Sequence, residues 1–324
     1  MHAIRIHEYG GPEVLRWEDI EVPTPGPGEA LIRHTAIGLN FVDIALREGR
    51  RQAPSPPFTP GMEASGIVES IAPGVSDVQV GDRVAYAGGP AGAYCELRVM
   101  SAERLVRLPD AIADETAAAG LLKGMTAQYL LRQTYRVQAG DVILVHAAAG
   151  GVGSLLCQWG HKLGATVIGT VGSDEKAELA RRSGCHEVIN YSREDFVDRI
   201  RDLTNGRGVS VVYDSVGGET FYQSMDCLRP RGLLVSYGQS SGPITPIDIG
   251  LLGAKGGLFV TRPSVFSYSA KREDLLDMAD QVFRMIAAGR LHIDVRQRYP
   301  LSNAIQAHRD LEARRTTGLT VLLP

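Results

Sequence analysis

The hydrophobic rhythm of the chain changes twice. Up to about Pro109, short runs such as "GIVESI" and "GDRVAY" alternate apolar and polar positions, and Pro/Gly clusters such as "VPTPGPGE" and "APSPPFTPG" separate them. A period of two fits half-buried strands, and turns this frequent predict a small, irregular β-barrel or sandwich. The stretch "DETAAAGLLKGMTAQYLLRQTY" then carries apolar residues at helical spacing, with Ala in place of β-branched residues. From Asp141 the order becomes apolar strand, glycine or polar turn, amphipathic helix. Helices at about 153–163, 174–182, 193–203 and 219–228 are predicted after "DVILVH", "ATVIGTV", "EVINY" and "VSVVYDS", and "GLLVSYG" and "GGLFVT" end the series. Strands and helices alternating at this length predict a parallel sheet covered on both faces, because each crossover helix returns over the sheet.

Near Arg262 the alternation stops. One long helix is expected, with Leu275, Met278, Ala279, Val282, Phe283 and Ile286 in a single stripe and Gly289 as its stop. Short strands then flank "NAIQAHRDLEARR", so the tail is more like the first section than the middle. The expected fold class is α/β, with a nucleotide-binding section inserted in a discontinuous first domain. A length of 324 residues accommodates two domains at the usual size of roughly 100–200 residues each.

The first chemistry-bearing motif is "VILVHAAAGGVG", a strand running into a turn and a helix. Ala148, Gly150 and Gly153 fit G/A-x-G-x-x-G with alanine first. A bare Gly150 lets the backbone approach a pyrophosphate, a small Gly153 lets helix and strand pack closely, and helix N-terminal amides face the anion. Such a turn is weak evidence by itself; inside a β/α series it predicts dinucleotide binding. About twenty residues on, where an acid often binds the adenosine ribose hydroxyls, stands "IGTVGSDEK". Gly172 leaves room there, Ser173 is able to donate a hydrogen bond, and Lys176 adds a positive charge. A carboxylate would repel a 2′-phosphate, so this turn favours NADPH over NADH. Asp174 and Glu175 fit the first turn of a helix, where they can point to solvent.

Composition narrows the partners. Thirty-four basic against thirty-seven acidic residues leave a formal charge of −3, which gives no general attraction to nucleic acid or an anionic membrane. The start lacks the apolar core of a signal peptide, and "VILVHAAAGGVGSLLC" is broken by His146 and three glycines, so no membrane span is expected. Four cysteines (Cys95, Cys157, Cys185, Cys227) lie far apart without a CxxC. They are expected to be buried and reduced, in a cytoplasmic protein.

At "HAAAGGVGSLLCQW", with "AIGLNFVDIALREG", "LLKGMTAQYLLRQTY", "VVYDSVGG" and "VTRPS", the chain resembles the NADPH:quinone oxidoreductases. These form the zeta-crystallin-like, zinc-free branch of the medium-chain dehydrogenase/reductase superfamily. The resemblance runs nearly end to end. It implies a GroES-like β-barrel catalytic domain (1–124 and 263–324), a Rossmann NADPH-binding domain (125–262), a homodimer and a quinone as hydride acceptor. By position it implies Asn40, Phe41 and Thr126 at the nicotinamide end, with Tyr129 nearby and Asn40 and Thr126 in catalytic roles. Asn40 would hydrogen-bond an acceptor oxygen and Thr126 would help place the ring. Gly150, Gly151, Val152 and Gly153 would hold the pyrophosphate. Gly172, Ser173, Lys176 and Tyr191 would surround the 2′-phosphate, with Arg314 reaching it from the tail. Ser215, Tyr237, Gly238, Gln239, Ser240 and Arg262 would line the rest of the groove.

Superfamily alcohol dehydrogenases use zinc. Asn40 and Met62 occupy the places of their cysteine and histidine ligands, and an amide and a thioether do not replace a thiolate and an imidazole. No metal is expected. A second departure is the loss of two tyrosines that related reductases carry at the positions of Ala45 and Arg51; Arg50 or Arg51 would face an anionic substrate or water. The runner-up activity is reduction of α,β-unsaturated carbonyls on the same fold. A non-enzymatic RNA-binding role, as for relatives of zeta-crystallin, is disfavoured by the cofactor turn and the acidic charge balance.

Overall fold

The computed structural model describes residues 1–50 and 53–324; the departure at Arg51 lies outside the described residues. The chain divides into two compact units, Met1–Met125 with Tyr268–Pro324, and Thr126–Ser267. In chain order come β1 (His2–Ile6), β2 (Leu15–Asp19), β3 (Glu29–Gly38), α1 (Phe41–Arg47), β4 (Glu63–Ile71), β5 (Arg83–Ala87), β6 (Leu97–Ser101), β7 (Val106–Arg107) and α2 (Asp114–Tyr129). The β/α series follows as β8 (Val142–Val145), α3 (Gly151–Lys162), β9 (Thr166–Val171), α4 (Asp174–Arg182), β10 (Glu187–Asn190), α5 (Phe196–Leu203) and β11 (Val209–Asp214). It continues with α6 (Phe221–Asp226), β12 (Leu228–Ser236), α7 (Gly250–Ala254), β13 (Phe259–Thr261) and α8 (Val265–Tyr268). The tail holds α9 (Arg272–Ala287), β14 (Val295–Pro300), α10 (Ala304–Glu312) and β15 (Leu319–Leu323).

In the first unit a seven-stranded sheet runs in the order β14-β15-β3-β4-β5-β7, with β6 also paired to β3, and β1 and β2 form a separate antiparallel pair. Strand β3 is the hub, antiparallel to β4, β6 and β15. Its apolar residues Ile32 and Ile37 join Ile4, Ile6, Tyr86, Tyr94 and Leu322 in one buried cluster. The tail thus belongs to the first unit because β15 pairs with β3. Helix α9 buries Leu275, Met278, Ala279, Val282 and Phe283, while Ile286 is only half-buried. It packs on α2 where Gly124 has no side chain: a Cβ there would lie 2.6 Å from the Val282 side chain. Gly289, at φ +64°, follows the helix in the left-handed conformation typical of a C-terminal stop.

The second unit is one parallel sheet in the order β10-β9-β8-β11-β12-β13. Central strand β11, "VSVVYD", is buried at all six positions, the pattern of a strand covered on both faces. Leu144, Ile168, Val212, Leu234, Phe196 and Phe221 pack within one core cluster. The predicted helix 174–182 matches α4, whereas the helix expected from residue 193 starts at Phe196. Asp195 causes the delay: its side chain caps the helix by accepting the Val197 and Asp198 N–H at 2.7 and 3.1 Å. Among the described residues no helix is long and apolar enough to cross a membrane.

Candidate functional site

In the second unit the sequence-predicted residues gather at the carboxyl ends of the parallel strands, where open α/β sheets bind ligands. After β8 the chain turns through Ala147, whose φ is +52°, and Gly150 precedes the first residue of α3. A Cβ on Gly153 would sit 2.2 Å from the Ala147 carbonyl oxygen. Only glycine there lets α3 start directly on the strand end, with the Gly151, Val152 and Gly153 amides in its electropositive first turn.

At the end of β9, Ser173 caps α4 and its Oγ accepts the Lys176 N–H at 3.3 Å. The hydroxyl proton of Ser173 remains for a ligand. The space beside Gly172 is not open, as the sequence suggested. A Cβ there would meet the Tyr191 hydroxyl at 2.6 Å, so glycine is what admits the phenol. The structure therefore brings Gly172, Ser173, Lys176 and Tyr191 together. Asp174 does more than face solvent: it accepts the Asn190 amide at 2.9 Å and pairs with Arg193. Ser192 donates to the Gly172 carbonyl at 3.0 Å. The sequence reading missed Ser192 and Arg193, whose one signal was a hydroxyl and a cation directly after Tyr191.

The turns after β11 and β12 interlock. Buried Asp214 accepts the Val216 and Gly217 N–H at 2.8 and 3.1 Å and the Thr220 hydroxyl at 2.9 Å. Ser240 donates its backbone N–H to the Ser215 carbonyl at 3.1 Å. A Cβ on Gly238 would lie 2.6 Å from that same oxygen. Ser215, Tyr237, Gly238, Gln239 and Ser240 are thus held as one surface, and Arg262 joins it by donating to the Ser236 hydroxyl at 3.1 Å. His146 serves the scaffold: its ring nitrogens bond Thr170 Oγ1 at 2.8 Å and Ser224 Oγ at 2.9 Å, and burial lowers its pKa. Thr126 is half-buried and Tyr129 buried on the last turn of α2.

In the first unit, Asn40 precedes α1 and Phe41 opens that helix with half of its surface exposed. The Asn40 backbone N–H donates to Asp43 Oδ2 at 2.9 Å. Its side-chain Nδ2 donates to Glu63 Oε1 at 2.8 Å and to the Gly38 carbonyl at 3.4 Å. Both amide protons are thereby engaged, so the expected bond from Asn40 to an acceptor oxygen lacks a donor in this arrangement. Glu63, at the start of β4, also accepts the Leu122 N–H at 2.9 Å and the Lys123 ammonium at 2.6 Å. Gly38 makes the approach possible, since a Cβ there would lie 2.1 Å from the Ala118 carbonyl and 2.5 Å from Glu63.

A second buried network continues from Asp43. Tyr94 donates to Asp43 Oδ2 at 3.0 Å, His308 Nε2 lies 3.1 Å from the same hydroxyl, and Arg47 reaches His308 Nδ1 at 3.0 Å and Glu312. Arg47 is a donor only, so Nδ1 accepts and the proton of neutral His308 sits on Nε2. Burial pushes the Asp43 carboxyl up to about 7 and pulls His308 down to about 3. Ala45 is half-buried on α1, Arg50 pairs with Glu48, and Arg314 lies on the exposed turn after α10 with φ +56°.

Comparison with known proteins adds lineage to this geometry. Residues 26–134 match the alcohol dehydrogenase GroES-like domain, and residues 151–281 match the zinc-binding dehydrogenase model. The chain is 53% identical over 321 residues to a quinone oxidoreductase of Pseudomonas aeruginosa, covering 99% of both chains. It is 47% identical over 328 residues to a 2-haloacrylate reductase of Burkholderia, covering 99% of this chain and 98% of that one. The crystal structure of Escherichia coli quinone oxidoreductase complexed with NADPH superposes with a TM-score of 0.98, at 45% identity and 100% coverage of both chains. The zinc in the second model's description finds no fitting donors here. Among the described residues no three His, Cys, Asp or Glu side chains are grouped to hold a metal. Of the two carboxyl groups beside Asn40, Glu63 is already neutralised by an ammonium and Asp43 accepts the Asn40 N–H and the Tyr94 hydroxyl. With a GroES-like segment, a parallel nucleotide-binding sheet and full-length likeness on both counts, the chain belongs to the quinone oxidoreductase family.

Proposed function

We propose that this chain oxidises NADPH and delivers the hydride to a quinone without a metal. The observation that carries the cofactor choice is the turn at the end of β9. There a serine cap, an ammonium-bearing first helical turn and a tyrosine hydroxyl meet; of the two acids in that turn, Asp174 is paired with Arg193 and Glu175 is exposed. Such a pocket accepts a phosphate through charge-assisted hydrogen bonds and offers the 2′-hydroxyl of NADH little. In this reading Ser173, Lys176 and Tyr191 hold the 2′-phosphate and Arg314 adds a second cation. Gly150 to Gly153 take the pyrophosphate through α3 amides. Ser215, Tyr237 to Ser240 and Arg262 line the remaining groove. Residues 125–262 form the cofactor domain, and 1–124 with 263–324 the catalytic one.

When bound, NADPH supplies a hydride; the chain supplies position and shelter from water. Asn40, Phe41, Thr126 and Tyr129 are assigned to the nicotinamide end, with Thr126 placing the ring. Reduced quinone oxygens are weak bases, so a strong protein acid is unnecessary, in keeping with a site where Asn40 and Thr126 are the polar groups assigned. Asn40→Ala is expected to lose hydride transfer while retaining NADPH binding, and unchanged turnover would contradict the role given to Asn40.

The homodimer is supported by the sheet edge. Among the described residues β13 is paired on one side only, and Phe259 and Ile249 are 60% and 75% exposed, which suits a second copy. A small quinone, and neither nucleic acid nor membrane, is the partner proposed, in the cytoplasm. The Burkholderia relative favours a second reading, reduction of an electron-poor carbon–carbon double bond. Parallel NADPH-oxidation assays with a quinone series and an enone series decide: turnover confined to enones would replace the quinone.

A further inference from the structure

The first unit holds a buried group of charges whose task the fold alone does not explain. Lys123, on α2, and Glu63, on β4, are 7% and 0% exposed. Each sits inside an apolar run, "LLKGM" and "GMEASG", and removing a charge pair from water carries a cost that an apolar pair would avoid. What the pair holds is Asn40. Glu63 Oε1 receives the Lys123 ammonium at 2.6 Å and the Asn40 amide at 2.8 Å, and Oε2 receives the Leu122 N–H at 2.9 Å. Three donors converge on this carboxyl group, which has no hydrogen-bond acceptor among its partners. Such surroundings select the ionised form, and an ionised carboxylate only accepts. The Asn40 side chain must therefore turn its nitrogen towards Glu63, and its oxygen, which faces the Asp43 N–H in the capping box at the start of α1, keeps one acceptor position.

We propose that Glu63 and Lys123 are positioning residues that lock the Asn40 amide with its nitrogen towards Glu63, so that the acceptor position left on its oxygen receives a hydrogen-bond donor. A carboxamide N–H of the cofactor or the hydroxyl of a reduced quinone meets this requirement; the carbonyl of an oxidised quinone does not. The inference rests on the assignment of Asn40 to the nicotinamide end made above. Lys123 acts through Glu63 by keeping it ionised. Burial raises the Glu63 pKa even beside Lys123, and the ammonium is the largest influence opposing it; without it, a protonated carboxyl would donate to Asn40 and turn its amide round. The charged and titratable groups facing Glu63 are Lys123 on α2, Asp43 on α1, Tyr86 on β5 and Tyr94 between β5 and β6. Of these, Lys123 alone brings a positive charge.

The test uses the full chain with Lys123→Met, Lys123→Arg and the double variant Glu63→Met/Lys123→Met. Lys123→Met is expected to lower kcat at neutral pH by about tenfold or more, with a smaller change in KM for NADPH. Its kcat should climb again towards alkaline pH, as Glu63 ionises and the amide turns back, and Lys123→Arg should recover most of the loss. The double variant removes both buried charges at similar volume, so its cofactor-free Tm should match or exceed the parent's while kcat stays low. Should Lys123→Met fail to fold, the double variant carries the test. A double variant with parental Tm and parental kcat overturns the proposal, as does a Lys123→Met profile parallel to the parent's. If the parent itself turns over no quinone and no enone with NADPH, the functional reading has failed instead, which these outcomes separate.

Discussion

Adding one methyl group at Gly153 tests the cofactor turn at its tightest point. The new Cβ would stand 2.2 Å from the Ala147 carbonyl oxygen, 2.9 Å from its carbon and 3.0 Å from the Ala148 Cα. All three are backbone atoms, so no side chain can swing aside; α3 must move away from the end of β8 by roughly 1 Å to reach ordinary contact. Overpacking of this kind costs about 1–3 kcal/mol, or a fall in Tm of roughly 2–10 °C for a unit of this size. The movement also withdraws the helix N-terminal amides from the phosphate position. Loss of one or two charge-assisted bonds weakens NADPH binding by about 10- to 100-fold. Calorimetric titration and thermal melts of Gly153→Ala measure both effects. Gly253→Ala is the matched control in the same unit: its Cβ meets nothing within 4 Å inside α7, and alanine in a helix is expected to be neutral or stabilising by about 1 kcal/mol. Parental NADPH affinity in Gly153→Ala would refute the assignment of this turn to the pyrophosphate.

Two further outcomes follow. Ser173→Asp keeps a good helix cap, since aspartate caps as well as serine, but puts a carboxylate where the 2′-phosphate is placed. Tm should hold while NADPH affinity falls by about tenfold or more and NADH affinity does not; equal losses for both would contradict the pocket. Acid stability is set by buried neutral histidines: burial holds His34 at about 4 and His308 at about 3, below the unfolded value of about 6.5. The unfolded chain binds their protons first, so stability falls as pH drops from about 6.5 towards 4. Asp43, raised to about 7, opposes this by favouring the fold at low pH and losing that contribution as pH rises towards 7. The His146 pKa is lowered by burial as well and that of Glu63 raised; three histidines outweigh two carboxyl groups, so Tm measured from pH 4 to 8 should peak near 6.5, and a Tm that falls steadily from pH 4 upward would contradict this balance.

The second unit was legible in the sequence because its signals are local. A strand, a glycine turn and a helix occupy about twenty residues, and α4 fell on the predicted bounds because Ser173 is a cap visible in the sequence. Tyr191 beside Gly172 and the Asp174–Arg193 pair were less so, since each joins residues nearly twenty positions apart. The first unit hid most. Arg47 meets His308 across 261 residues, and Lys123 meets Glu63 across 60. No periodicity reports such pairings. Their one trace is a lone charge in an apolar run, as in "LLKGM" and "GMEASG", a position where a charge stays buried only when partnered. The partner that takes an Asn40 amide proton was hidden for the same reason: Glu63 lies 23 residues away.

The central claim is that this chain draws its hydride from NADPH and gives it to a quinone. Steady-state kcat/KM for NADPH and for NADH, measured with one saturating quinone at low ionic strength, tests it most directly. Quinone-dependent oxidation is expected, with NADPH favoured by about tenfold or more. Equal values for the two coenzymes, or no oxidation that depends on the quinone, would contradict it.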